Sequence, residues 1–310
     1  MCIRDSVKAD GNPYTVFTPY FKKWREHLTP KDLTPFSTET YFKNFLLTNN
    51  ITDCPSLTDM GFEKSTITVP KRTTDKAIIK TYDQTRDFPA LEKGTSRLGL
   101  HLRFGTISIR QLATQGKNLN QIFLSELGWR DFYQQILWHF PYVAERSFRE
   151  KYEAIPWRNN PQEFEKWCQG KTGYPIVDAG MRELNQTGHM HNRVRMIVAS
   201  FLCKHLLIDW RWGEKYFAEK LLDFDLAANN GGWQWSAGTG CDAAPYFRVF
   251  NPTSQQQKFD PKFEYIKKWV PEYDSKNYPE PMVEHKTARQ RALDTYKKGL
   301  SKNTSPESKV

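Results

Sequence analysis

Between Leu221 and Gly240 the sequence reads LLDFDLAANNGGWQWSAGTG. Two carboxylates (Asp223, Asp225), two carboxamides (Asn229, Asn230), a Gly-Gly pair and two tryptophans (Trp233, Trp235) fall within thirteen positions. A packed core has little use for this mixture, because each buried Asp or Asn must find a hydrogen-bond partner or cost stability. A site for a large, flat, polar heteroaromatic ligand uses all of it. Carboxylates and amides read the ligand's edge, glycines let backbone approach closely, and indoles offer flat faces. Taken singly, each residue has a plainer account: a helix C-terminus with Gly at its cap and two core tryptophans. The whole string favours the ligand site, with Gly231-Gly232 expected as a break in regular structure.

Two further groups have the types and spacing of working residues. Glu126, Trp129, Arg130 and Tyr133 stand at i, i+3, i+4 and i+7, so on a helix they share one polar-aromatic face. An exposed, salt-bridged face with an amphipathic Trp has the same pattern. A flat ring beside a carboxylate also suits a nucleobase, stacked on one and hydrogen-bonded at its edge to the other, as in enzymes that take a base out of the stack. Thr95-Ser96-Arg97-Leu98 follows Gly94 and precedes a predicted helix. Hydroxyls, free amides and an arginine there make a seat for a diphosphate, while an ordinary Ser/Thr N-cap is the simpler account.

The opening string is preceded by KTGYPIVDAGM (171–181) and GHMHNRVRM (188–196) and followed by CDAAPYFRVFNP (241–252). In this order and spacing, from about Tyr82 to about residue 300, the chain resembles the flavin domain of the photolyase/cryptochrome family, within it the class I photolyases of cyclobutane pyrimidine dimers. The resemblance implies FAD as cofactor. Thr95, Ser96, Arg97, Leu98 and Gly99 would hold its pyrophosphate, with Tyr82 contributing from the preceding segment; Gly99 stands where relatives often carry Ser. Arg195, on a turn at 192–196, would pair with Asp223 beside the isoalloxazine. Asp225 would accept a hydrogen bond from the ring's edge and Asn229 would face N5, where a neutral amide can accept from a protonated nitrogen or donate to an unprotonated one. Arg130 and Phe224 complete the cofactor set.

For DNA, the resemblance implies a lesion pocket with Trp129 and Trp235 as walls and Glu126 and Tyr133 on the base edge. Asn192 and Arg193 would form a polar rim, and Arg86 would contact the backbone. Photolyases of (6-4) photoproducts place histidines at the positions of Asn192 and Met196 to move a proton. Splitting a cyclobutane ring needs only electron transfer, so Asn and Met point to the cyclobutane dimer, with Glu126, Asn229 and Met196 as the catalytic set. Trp233, Trp210 and Trp157 match the family's electron-transfer chain from flavin to surface, although each alone is explained by core packing. His189 stands where many relatives carry Trp, and the sequence assigns it no role.

The elements that must position these groups read as helices. Ile122–Phe140 carries apolar residues at Ile122, Phe123, Leu127, Ile136 and Leu137, the pattern of a mostly buried helix. Residues 193–207 form a second, with Val194, Ile197, Phe201 and Leu202 as its core stripe. Residues 214–222 and 287–300 read as shorter amphipathic helices. No alternating pattern recurs, so the expected fold class is mainly α, a helical FAD-binding domain with the family's α/β antenna domain largely missing. The expected organisation is a leader and antenna remnant over 1–24, a linker with first helices over 25–75, the helical FAD- and DNA-binding domain over 76–300 and a disordered tail over 301–310. The first six residues match nothing in the family, which reads as a foreign leader on a chain truncated at its N-terminus; the antenna chromophore stays unassigned.

The chain of 310 residues carries a formal charge of +10, and aromatic residues make up 14% of it. That excess suits a polyanion, nucleic acid first. No apolar run approaches the ~18 residues of a membrane span, and no secretory signal is present. The five cysteines (2, 54, 168, 203 and 241) are scattered and free of C-x-x-C spacing, which fits a reducing compartment and argues against a disulfide framework or a zinc module. His189 and His191 form half a metal site without a third ligand nearby, so no metal is expected. The expected protein is a cytoplasmic, monomeric, light-dependent DNA repair enzyme acting on UV-damaged DNA with pyrimidine dimers and not on membranes. A cryptochrome-like photoreceptor and a flavin-free helical DNA-binding protein remain the alternatives.

Overall fold

Helices dominate this computed structural model, which describes residues 6–46, 53–72 and 74–302. The first are α1 (Phe17–His27) and α2 (Pro30–Leu33), then α3 (Lys76–Lys80), α4 (Tyr82–Thr85), α5 (Gly99–Arg103), α6 (Ile109–Leu119) and α7 (Gln121–His139). After two 3-10 turns come α8 (Pro161–Cys168), α9 (Pro175–Thr187), α10 (Asn192–Ser200), α11 (Trp210–Lys220) and α12 (Leu226–Ala237). The series ends with α13 (Pro252–Phe259), α14 (Glu264–Trp269) and α15 (His285–Lys302). Among the described residues the only strand-like pairing is one bridge, Val7 to Pro13. All but Ser6 of the expected leader and most of the expected tail lie outside the described residues.

Local chemistry sets the helix starts. The Asn120 side chain accepts from the amides of Ile122 and Phe123 to open α7, and Asp209 accepts from Arg211 to open α11. Such caps satisfy amides that have no partner within the helix. Proline sits in the first turn of α8, α9 and α13, where its missing N–H costs nothing. The cap of α10 is less usual: His191 Nδ1 accepts from Arg193 N at 3.1 Å. Burial lowers the His191 pKa to about 4, which keeps the imidazole neutral and its lone pair available.

Two cores form. One gathers Trp167, Val177, Val194, Phe201, Trp210 and Trp233 from the segments around α8 to α12. The other gathers Tyr20, Trp24, Leu112, Leu124 and Phe132 from α1, α6 and α7. Helix α12 touches α7, α10 and α11 and so runs along the seam between them.

Several expectations change at this level. Ile122 is exposed, and α7 buries Phe123, Leu124, Leu127, Phe132 and Ile136 instead. Its apolar positions are wider than one stripe because α1, α6 and α12 all pack on it. Gly231 and Gly232 do not break the chain; they lie inside α12, and the left-handed cap comes at Gly238. Glycine is needed at Gly231 because a Cβ would overlap the Tyr133 ring. Arg195 sits on α10 rather than on a turn. The helix expected over 193–207 changes at Phe201 into one π-turn, Phe201–His205. Helices α8, α9, α13 and α14 were not foreseen, although α9 carries a buried stripe at Val177, Met181 and Leu184. Among the described residues of 28–75, α2 and a 3-10 turn at Glu39–Asn44 are the regular elements, within the span expected to hold a linker and first helices, and α1 packs on α7 within the second core.

Candidate active site

Where α7, α10 and α12 meet, they enclose a cavity of about 410 Å³. Helix α7 contributes Glu126, Trp129, Arg130 and Tyr133 to its lining, in agreement with the shared face their spacing predicts. Helix α10 contributes Asn192, Arg195 and Met196; α12 and the turn before it contribute Asp223, Phe224, Asp225, Asn229, Trp233 and Trp235; Arg86 closes one side.

At one end every polar group is anchored. Arg195 Nη2 donates to both Asp223 oxygens, at 3.0 and 2.9 Å, while its Nε donates to the Met190 carbonyl at 2.8 Å. Asp225 caps α12 through Oδ1, which accepts from Ala228 N at 3.1 Å. Asn229 donates through Nδ2 to the Glu214 carbonyl at 3.0 Å, which leaves its Oδ1 as an acceptor. Beneath it, Glu214 accepts from Asn230 Nδ2 at 2.9 Å, and burial lifts its carboxyl to about 7.

The other end is held by ion pairs between side chains. Arg86 Nη1 lies 2.6 Å from Glu126 Oε1. Burial pushes the Glu126 carboxyl above its usual range against the pull of Arg86, and Asp87 adds to that push. Arg193 donates to Asp87 at 2.7 Å and lies over the Phe259 ring at 4.3 Å. It therefore stands behind the cavity wall and does not line it.

The segment expected as a diphosphate seat adjoins the anchored end. Thr95 and Ser96 precede α5 without capping it; Leu98 occupies the cap position, and Arg97 is exposed with φ +50°. Arg103 Nε donates to the Phe224 carbonyl at 2.8 Å, which ties α5 to the turn before α12. A Cβ at Gly99 would lie 2.7 Å from Asp223 Oδ2, so glycine leaves the carboxylate room, and a longer side chain would meet it first. Tyr82 lies outside the lining, edge-on to Phe123 and beneath the Arg86 guanidinium.

Of the three tryptophans expected as a chain, only Trp233 lines the cavity. Its ring edge reaches α11 at Gly213, where a Cβ would overlap it, one turn from Trp210. Trp210 is fully buried, and Trp157 packs edge-on to Tyr296 at 5.8 Å. No ring pair among the described residues joins Trp233 to Trp210 or Trp210 to Trp157; the indole beside Trp233 is Trp167, at 6.1 Å. His189 Nδ1 lies 3.5 Å from Glu183 Oε1, and Tyr265 donates to Glu183 Oε2 at 2.6 Å. Burial would raise Glu183, yet these hydrogen bonds hold it below its usual range.

Sequence reasoning missed Asp87, Glu214 and Trp167. Asp87 carried a signal, as an acid beside a candidate phosphate-binding arginine. Glu214 and Trp167 carried none, because only the packing of α8 and α11 brings them near the site.

A family model described as the FAD binding domain of DNA photolyase matches residues 123–277. The chain belongs to the photolyase/cryptochrome family. The matched segment is an FAD-binding domain, and it holds every cavity residue named above except Arg86. Among curated relatives, the deoxyribodipyrimidine photo-lyase of Neurospora crassa is 39% identical, with 95% of this chain and 58% of that protein covered. The enzyme of the same name from Vibrio cholerae is 50% identical, with 71% and 52% covered. The chain thus spans little more than half the length of these relatives. Among solved structures, a class III photolyase from Agrobacterium tumefaciens matches with TM-score 0.81 and 35% identity, over 97% of this chain and 72% of that one. Among the described residues no helix is long and apolar enough to cross a membrane.

Proposed function

We propose that the chain is a light-dependent DNA repair enzyme that splits cyclobutane pyrimidine dimers, a deoxyribodipyrimidine photo-lyase. The observation that carries this reading is the single cavity that joins an anchored set of ring-edge acceptors to an aromatic, carboxylate-bearing set suited to bases. Bound in its reduced form, FAD would supply the light-excited electron that ring opening needs, with no net redox change.

The chain's own residues hold, orient and exclude water. Arg195 and Asp223, Asp225 and Asn229 would hold the isoalloxazine, with Phe224 and Arg130 alongside. The 95–99 segment and Tyr82 would hold the diphosphate. The cavity fits such a group in chemistry, since Asp225 and Asn229 keep one acceptor oxygen each beyond their structural bonds. The dimer would enter at the other end, between Trp129 and Trp235, with Glu126 on the base edge and Met196 as a soft wall. Stacking against aromatic faces favours flat bases that have left the helix stack. Asn192 and Met196 bring no titratable group to the lesion, which favours a substrate whose repair needs no proton moved. Arg86, Arg193 and the excess of +10 would meet the phosphates. Both walls come from one chain, so a monomer suffices. Trp233 would start the electron path that recharges the cofactor, with Trp210 and Trp157 beyond it.

The test is repair of a duplex oligonucleotide containing one cyclobutane thymine dimer by the purified, chemically reduced protein under blue light. Light-dependent loss of the dimer supports the reading. A flavin-loaded protein that leaves the dimer intact in the light would overturn it and favour a photoreceptor.

A further inference from the structure

Trp129 has two faces, and only one is free to meet a ligand. Phe17 covers the other: the ring centroids are 3.7 Å apart and the planes 8° from parallel. Phe17 does not line the cavity, whereas Trp129 does, so Phe17 backs the indole from the protein side. The stack continues through Phe21, 5.3 Å away at 14°, to Trp24, 5.6 Å further at 25°. These residues stand at i, i+4 and i+7 on α1, so one helix face presents them in a column. The column is held at two points. Trp24 Nε1 donates to Asp131 Oδ2 at 2.9 Å, and Phe21 sits against Gly128, where a Cβ would come within 2.5 Å of its ring.

The same residue reaches the opposite wall. Val16, the cap residue of α1, offers no side-chain bond; the Phe17 amide donates instead to Asp242 Oδ2 at 3.0 Å. Asp242 follows α12, which carries Trp235. A carboxylate at the start of a helix is favoured by the unpaired amides and by the helix dipole, so this link is stable without help from a ligand.

We propose that Phe17 is a positioning residue for lesion recognition. It fixes the plane of Trp129 through its ring and the separation of the two aromatic walls through its amide. This inference rests on the reading of the cavity as a dimer-binding pocket. A stacking surface held in place before binding loses less freedom when the base arrives, and a stacked aromatic pair contributes beyond its buried area. Without the backing ring, Trp129 turns about its side-chain torsions, and the pocket discriminates less well.

The experiment compares Phe17→Leu, Phe17→Tyr and Trp129→Ala in FAD-loaded protein. The readout is the ratio of affinities for a duplex with one thymine dimer and the same duplex without it. Phe17→Leu keeps most of the volume and loses the stack; it should lower the ratio roughly three- to tenfold, with FAD content and the salt dependence of undamaged-duplex binding unchanged. Phe17→Tyr should restore the ratio. In 5-fluorotryptophan-labelled protein, the Trp129 fluorine resonance should shift in Phe17→Leu and return in Phe17→Tyr. If Trp129→Ala lowers the ratio and folded Phe17→Leu does not, the inference is overturned while the pocket stands. If Trp129→Ala leaves the ratio intact, the pocket reading fails first. Should Phe17→Leu not fold, Asp242→Ala tests the other link: it should lower the ratio about two- to threefold, and an unchanged ratio overturns the inference.

Discussion

The two ends of the cavity differ in how their polar groups are held. Arg195, Asp225 and Asn229 are each tied to backbone, by a carbonyl, a helix cap and a neighbouring main-chain oxygen, and Asp223 is held in turn by the anchored Arg195. Around Glu126, Arg86, Arg193 and Asp87, the partners are side chains that can exchange. Backbone anchors lose little on ligand binding and keep one geometry, which suits a resident cofactor. Ion pairs between long side chains can open toward a phosphate or a base and close again, which suits a substrate that comes and goes. One cavity thus joins a socket held mainly by backbone to a mouth held by side-chain ion pairs.

The largest effect is expected at the socket. Asp223→Ala leaves the half-buried Arg195 guanidinium without its carboxylate, and about 3 kcal/mol of FAD affinity should go with it, more than a hundredfold. Flavin content after extensive dialysis is the measurement. A mutant that keeps its full complement would move the socket elsewhere. At the mouth, Glu126→Ala should cost about 2 kcal/mol of affinity for dimer-bearing DNA while FAD content stays near that of the parent. Here a titration with lesion and control duplexes decides, and equal loss for both would make Glu126 part of a general electrostatic face.

How far the sequence foresaw this contrast depends on the kind of signal. The α7 face was legible, because four residues at helical spacing define one side of one helix. The Asp223–Trp235 string was read from its composition as a ligand site and does line the cavity, yet its glycines were misread as a break: the reason for Gly231 is the Tyr133 ring on another helix. Arg193 was expected at the rim, and Asp87 with Phe259 draws it behind the wall. Phe17 carried no sign of its role, since its partners Trp129 and Asp242 lie more than a hundred residues away. Pattern reveals which residues share a face; it does not reveal which distant side chain occupies that face.

Two smaller effects sharpen the comparison. Glu214 supports Asn229 and Asn230 from below, and its folded pKa near 7 lies above the usual 4.5. A raised carboxyl pKa means that the neutral form stabilises the fold. That contribution is complete below about pH 4.5, declines as pH rises and is lost above about 7. Thermal unfolding of parent and Glu214→Gln from pH 4.5 to 8.5 should show the parent losing on the order of 1–2 kcal/mol relative to the variant; parallel curves would refute the buried neutral acid. At the mouth, Asp87→Asn removes the anion that holds Arg193. Binding of undamaged duplex should tighten about two- to fivefold at low salt, and the slope of log affinity against log salt should steepen by up to about one. An unchanged slope would show that Arg193 does not reach phosphates.

The central claim is that flavin and dimer share one cavity closely enough for an electron to pass between them. Its most direct test is the emission lifetime of reduced FAD in the intact protein, recorded with saturating dimer-bearing duplex and with the same duplex undamaged. Direct transfer adds a decay route, so the lifetime should shorten with the lesion and not with the control. A lifetime that stays the same at full lesion occupancy would contradict the account.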